Sequence, residues 1–194
     1  MARPKEFDRD EAVKKAIAVF RDKGYAATST DDLLQAMNIG RQSMYDTFGD
    51  KRRLYLEALQ RYNADGVGEF IHSMSKSSSP LAGLESALLS FAAKSSAEDA
   101  FGCMGVSAVC EFGQSDADVV TLTETSHMTL AASLERQLKD AKAKGEIPRS
   151  IDERAATQFI NSTLLGMKLS ARGGASHRTL KNIASFAIKS LKAP

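Results

Sequence analysis

Tryptophan is absent from this chain, and proline is scarce, with 4 in 194 residues. Few prolines leave long stretches free to be helical, because proline breaks helix interiors. Only 2 cysteines are present, which excludes a disulfide framework in a chain of this length. No apolar run reaches the roughly 18 residues of a membrane span. The opening MARPKEFDRDE has no apolar signal core and turns acidic early. The expected location is therefore the cytoplasm, with no membrane partner. An excess of charge of one sign is missing too: the formal net charge is +2, so any polyanion partner must be argued from where charges sit.

Catalytic patterns are also lacking. There is no HExxH, nucleophile elbow, P-loop or dinucleotide fingerprint. Ser73 and Lys76 have Ser-x-x-Lys spacing but lie in the polar stretch SMSKSSSP without supporting partners. His72, His127 and His177 are scattered and predict surface or edge positions, not a metal site. Glu111 and Glu124 read as carboxylates on helix surfaces. With no nucleophile, base and orienting group to assemble, neither an enzyme nor a cofactor is expected.

Helical spacing is present nearly everywhere. A first helix is predicted from about 8 to 23, with Ala12, Val13, Ala16, Ile17 and Phe20 facing inward and Gly24 ending it. Ser29 or Thr30 can cap the next, with Asp31 and Asp32 in its first turn and Leu33 and Met37 inward. Asn38-Ile39-Gly40 reads as a turn. A third helix follows from about 41 to 48, burying Met44 and Phe48, and Asp50 can cap a fourth that carries Leu54, Ala58 and Leu59. Residues 73–80 read as a loop, and Pro80 suits the first turn of a new helix. Further helices are predicted at about 81–96, 103–112, 116–144 and 152–171, then a last one with a single-sided stripe over 180–191. The class is all-α, with about nine helices.

Two short helices joined by a tight turn form a helix-turn-helix, which lays its second helix in the DNA major groove and reads base edges from that helix's first residues. Here those are Arg41 and Gln42. Arg can donate twice to guanine and Gln can pair with adenine, each worth roughly 1–3 kcal/mol of discrimination. Ser43, Tyr45, Thr47 and Thr30 carry hydroxyls suited to phosphate oxygens, and Lys51 opens the fourth helix, where ammonium and helix dipole act on one phosphate. Arg3 and Lys5 precede the first helix and read either as a basic arm or as a solvated tail.

Residues 24–59, GYAATSTDDLLQAMNIGRQSMYDTFGDKRRLYLEAL, resemble the N-terminal domain of the TetR/AcrR family of bacterial repressors. The likeness lies in the glycine ending the first helix, the Thr/Ser run at 28–30, the Asp-Leu of the second helix, the Tyr45-x-x-Phe48 pair and the Gly-Asp-Lys that follows. It implies phosphate contacts at Thr30, Ser43, Tyr45, Thr47 and Lys51 and base contacts at Arg41 and Gln42. Asp46 departs from a phosphate-binding pattern; it either accepts from a cytosine amino group or turns aside. The implied organisation is a helix-turn-helix head over 1–53 and an effector-binding and dimerisation bundle over 54–194. The implied function is a repressor that binds a palindromic operator in double-stranded DNA as a homodimer and is released by a small-molecule effector.

The resemblance also implies that the last two helices pair with their copies, which the sequence supports with Ala155, Ala156, Phe159, Ile160, Thr163, Leu164, Met167 and the 180–191 stripe. The alternative is that this stripe packs within its own subunit. Candidates for the wall of the implied effector pocket are Leu84, Leu88, Phe91, Met104, Ser107, Met128 and Phe159. Cys103 and Cys110 are seven apart, on one helix face but about 10.5 Å distant along a straight helix, too far to bridge. One reading makes both small buried apolar residues. The other makes Cys103, which follows Gly102 near a helix start, a sensor of oxidants or electrophiles, as in some relatives.

Overall fold

A computed structural model of the chain describes residues 7–94 and 103–192. Among these the regular structure is helical throughout: α1 (Arg9–Lys23), α2 (Thr30–Met37), α3 (Arg41–Phe48), α4 (Lys51–Ser75), α5 (Pro80–Lys94), α6 (Met104–Phe112), α7 (Ala117–Ala143), α8 (Glu153–Arg172) and α9 (His177–Leu191). The all-α expectation therefore holds. The boundaries follow local chemistry. Asp8 caps α1 by accepting from the amides of Asp10 and Glu11, Asp152 does the same for α8, and Ser176 caps α9.

The helices form two compact units, one within Met1–Asn63 and Met104–Thr123, the other within Ala64–Cys103 and Glu124–Pro194. In the first, the head, α1, α2, α3 and the first half of α4 pack with α6 and the opening turns of α7. Its core holds Val13, Phe20, Leu33, Met37, Met44, Phe48, Leu54, Leu59, Met104, Ala108 and Val119. Aromatic rings fill one side of it. Tyr55 meets Phe20 edge-on at 5.0 Å between ring centres, and Tyr25 lies 4.8 Å from Tyr55 and 5.4 Å from Phe112 of α6.

The second unit, the body, packs α5, α8, α9 and the later halves of α4 and α7 around Met74, Leu84, Leu88, Leu134, Leu138, Ile160, Leu164, Met167, Leu180, Ala184 and Ile188. α5 approaches the end of α4 so closely that a Cβ on Gly83 would stand 2.2 Å from the Met74 carbonyl oxygen. The sequence placed Met74 in a loop; it is a buried core residue in the last turn of α4. The surrounding serines masked that turn, because composition registers polarity and not which single side chain faces inward.

The stripe on α9 also departs from the dimer-face expectation. Leu180, Ala184, Ala187, Ile188 and Leu191 are buried within their own subunit, as are Ala156, Ile160, Leu164 and Met167 of α8. The large apolar side chains left exposed on these helices are Phe159, Leu165, Leu169 and Phe186. A helix stripe reports that a face is buried but not against what.

Candidate nucleic-acid interface

The loop after α1 sets the start of α2. Gly24 has φ +79°, a left-handed backbone value open mainly to glycine, and a Cβ there would stand 2.3 Å from Glu111 Oε1. The Glu111 carboxylate accepts from the amides of Tyr25 (3.1 Å) and Ala26 (2.9 Å). The buried Thr28 hydroxyl donates to the Gly24 carbonyl at 2.6 Å. Ser29 then caps α2: its hydroxyl accepts from the Asp32 amide, while Asp32 accepts from the Ser29 amide at 2.8 Å. Lys23 sits 2.6 Å from the same carboxylate. The Lys23 ammonium, followed by the Ser29 amide and hydroxyl, holds Asp32 far below the usual carboxylate range.

Asn38 ends α2 at φ 56°, the left-handed conformation in which Asn is one of the few tolerated side chains. Ile39 packs against the head core, and Gly40 opens α3 without a side-chain cap. On α3, Met44 and Phe48 are buried, which turns Arg41, Gln42, Tyr45 and Asp46 outward and leaves Ser43 and Thr47 half-buried. The predicted readers and hydroxyls of this helix thus share the side away from the core. Thr30, the first residue of α2, is half-buried. Both of these predicted readers are engaged by carboxylates. Arg41 Nη2 donates to Asp31 Oδ1 at 2.5 Å, and Gln42 Nε2 donates to Asp46 Oδ1 at 2.8 Å. Asp46 has turned aside onto Gln42.

α4 begins at Lys51, with Asp50 accepting the Arg53 amide at 2.8 Å as its cap. The basic run at 51–53 is divided in role. The Lys51 ammonium lies 4.2 Å from the centre of the Tyr25 ring, a cation–π contact. Arg52 instead grips Asp116 through both terminal guanidinium nitrogens and donates to Asp118 at 2.6 Å. Arg52 holds the Asp116 carboxyl down to about 2, helped by the Val119 amide, and the two aspartates push the Arg52 guanidinium upward in turn.

Sequence reasoning placed Asp31 and Glu111 on helices without finding their partners, and it missed Asp116 and Asp118. Asp31 precedes Arg41 by ten residues, outside any single-helix spacing. The other three come from α6, the start of α7 and the turn between them, far along the chain from their partners. Asp116 had a local signal, since it caps α7 by accepting from the amides of Asp118 and Val119. Arg3 and Lys5 lie outside the described residues.

Of the pocket candidates, Leu84, Leu88 and Phe91 all lie on α5, the first two buried in the body core and Phe91 packed against it. Met104 is buried in the head core, and Ser107, also on α6, is buried. Met128 and Phe159 are 64% and 42% exposed, so they do not line an interior. Cys103 is half-buried immediately before α6, and Cys110 is exposed, so the pair are not the two buried apolar residues first expected.

The family model "Bacterial regulatory proteins, tetR family" matches residues 12–58, and "Tetracyclin repressor-like, C-terminal domain" matches 81–185. The HTH-type transcriptional repressor ComR of Escherichia coli (strain K12) is 31% identical over 196 residues, covering 96% of this chain and 90% of ComR. The uncharacterized HTH-type transcriptional regulator YezE of Bacillus subtilis (strain 168) is 50% identical over 62 residues, 32% of each chain. A cysteine-substituted form of the TetR family transcriptional regulator CifR, solved with a 26-bp double-strand operator DNA, is 25% identical, with a TM-score of 0.86 over 98% of this chain and 100% of that one. A capped two-helix reading unit, a helical body and matches to both parts together lead to one conclusion: the chain belongs to the TetR family of bacterial regulatory proteins.

Proposed function

We propose that this protein is a transcriptional repressor that binds a palindromic operator as a homodimer and releases it when a small molecule occupies the body. The carrying observation is the outward face of α3, where Arg41, Gln42 and Tyr45 stand together over the buried Met44 and Phe48. Arg41 and Gln42 read base edges from the first turn of α3. Thr30, Ser43, Tyr45, Thr47 and Lys51 contact phosphates and set register without reading sequence. Residues 1–53 carry the DNA-reading function within the head unit, and 54–194 carry the effector and dimer functions. The role is regulatory, not catalytic.

Pairing is supported by the exposed Phe159, Leu165, Leu169 and Phe186, large apolar side chains that gain from leaving water. Two heads on a two-fold axis read two half-sites, which supplies the selectivity that one short helix lacks. The effector acts by binding the DNA-incompetent arrangement of the dimer more tightly, and it weakens operator binding by at most that preference. Leu84, Leu88 and Phe91 of α5 are its proposed contacts.

Selection from random duplexes tests the reading. It should recover a palindrome bound with steep salt dependence. Arg41→Ala should relax base choice, whereas Lys51→Ala should weaken all duplexes alike. Equal losses on selected and scrambled DNA for both variants would refute this division of roles.

A second reading makes Cys103 the trigger in place of a bound ligand. It is favoured by the partial accessibility of Cys103 next to α6. Peroxide or a quinone should then weaken operator binding by the wild type and spare Cys103→Ser; an identical response of the two would exclude it.

A further inference from the structure

We propose that Asp31 and Asp46 are specificity-determining residues: each fixes one base-reading side chain in the orientation that readout needs, and neither contacts a base itself. The inference rests on the DNA-reading role assigned above to Arg41 and Gln42. Its basis is that both readers, and not one, carry a carboxylate partner on the exposed face of the head.

Asp46 lies one turn after Gln42 on α3, where side chains four apart meet. A carboxylate is acceptor-only, so it selects the NH2 end of the Gln42 amide. One N–H is then used by Asp46, and the other N–H and the carbonyl remain. Adenine needs one acceptor and one donor on its N6/N7 edge, and those are the two groups left over. Without Asp46 the amide can turn over, exchanging donor for acceptor and reading a different edge. Asp46 therefore spends a surplus donor and removes an ambiguity.

Asp31 acts on Arg41 from the neighbouring helix. A guanidinium has five N–H donors in a planar fork, and guanine uses two. The bond from Nη2 to Asp31 fixes the plane of the fork while leaving donors free for O6 and N7. Holding a long side chain in place before binding lowers the entropy lost when it docks. α2 is capped through Ser29 and Asp32, so Asp31 is not needed to start its helix. Both aspartates also place negative charge where phosphates approach, which penalises loose, sequence-independent binding. A carboxylate that steers a reader and repels the backbone raises the ratio of specific to non-specific affinity from both ends.

The test uses the full-length protein, a duplex recovered by random-sequence selection and a scrambled duplex of equal length. Asp46→Asn keeps the shape and can still accept, but it also donates, so it no longer chooses an amide end. Asp31→Asn keeps an acceptor and loses the charge. Each should lower the selected-to-scrambled affinity ratio about tenfold, within the range set by one bidentate pair, while scrambled binding stays level or rises. Repeating the selection with each variant should blur only the base positions read by its partner. Asp31→Ala and Asp46→Ala should lower the ratio at least as far. Both substituted sites are exposed, and unchanged thermal melts would confirm intact folds. A ratio within twofold of wild type in the Ala and Asn variants, with both affinities raised together, would overturn the proposal and leave the aspartates as plain charge. A wild type that cannot tell the selected from the scrambled duplex would overturn the DNA-reading assignment itself, and this inference with it.

Discussion

Glu111 serves the loop after α1 as a capping residue serves a helix, but from 86 residues away. Its two oxygens satisfy two amides that the turn would otherwise leave to solvent, and the ring of the same Tyr25 supports Lys51. Arg52 and Asp116 make the matching link at the start of α4. This ion pair has a defined acid signature. Asp116 is held down to about 2, so its contribution is complete above the ordinary value of 3.8 and is lost as pH falls through that interval. Asp116→Asn should therefore lower stability at neutral pH, and its difference from wild type should vanish between about pH 4 and pH 2 in urea titrations across that range. A difference that persists undiminished at pH 2 would mean that the lost packing, and not the charge, was responsible. Local partners of this kind were legible in the sequence: Ser29, offered as a cap beside Thr30, and Asp50 sit at cap positions that composition and spacing identify. Glu111 and Arg52 were not, because nothing in local periodicity encodes which distant group a charge will meet.

Among the elements, α4 is the least uniform. It runs for 25 residues and carries Gly66 and Gly68 in its interior, where a Cβ would meet nothing within 4 Å. Each glycine raises the entropy cost of holding this stretch helical, by about 0.5–1 kcal/mol relative to alanine. Gly66→Ala and Gly68→Ala should each raise stability by that amount in denaturant unfolding. Destabilisation by either would mean that the glycine answers a need other than space. Helix limits marked by a cap or a glycine were well read, since these act within a turn of where they stand, whereas the end of α4, which has no glycine, was set too early. The α3 limits expected from Arg41 and Phe48 are those observed. Partner choice between elements was read less well. The 180–191 stripe belongs to the body core because α9 lies along α5 and α8 of its own subunit.

At the scale of the molecule, the exposed apolar residues of α8 and α9 have the largest consequence. Phe186 is 71% exposed and Leu169 58%. Positions 155, 159, 162, the pair 165 and 166, and 169 follow one another three or four residues apart along the exposed side of α8, mixing large residues with Ala, Ser and Gly. With a second copy seated here, the melting temperature should rise with protein concentration. Phe186→Glu should shift sedimentation toward the monomer and weaken operator binding without altering helix content. A concentration-independent melt with an unchanged sedimentation coefficient would remove α8 and α9 as the pairing face. None of the chain's helices within the described residues is long and apolar enough to cross a membrane.

The packing of Tyr25 and Tyr55 against Phe112 carries an optical dividend. With no indole in the chain, the longest-wavelength absorption and the dominant emission belong to 4 phenols, and two of them sit in that one cluster. Any event that loosens α6 from its aromatic neighbours will be visible in an unlabelled cuvette.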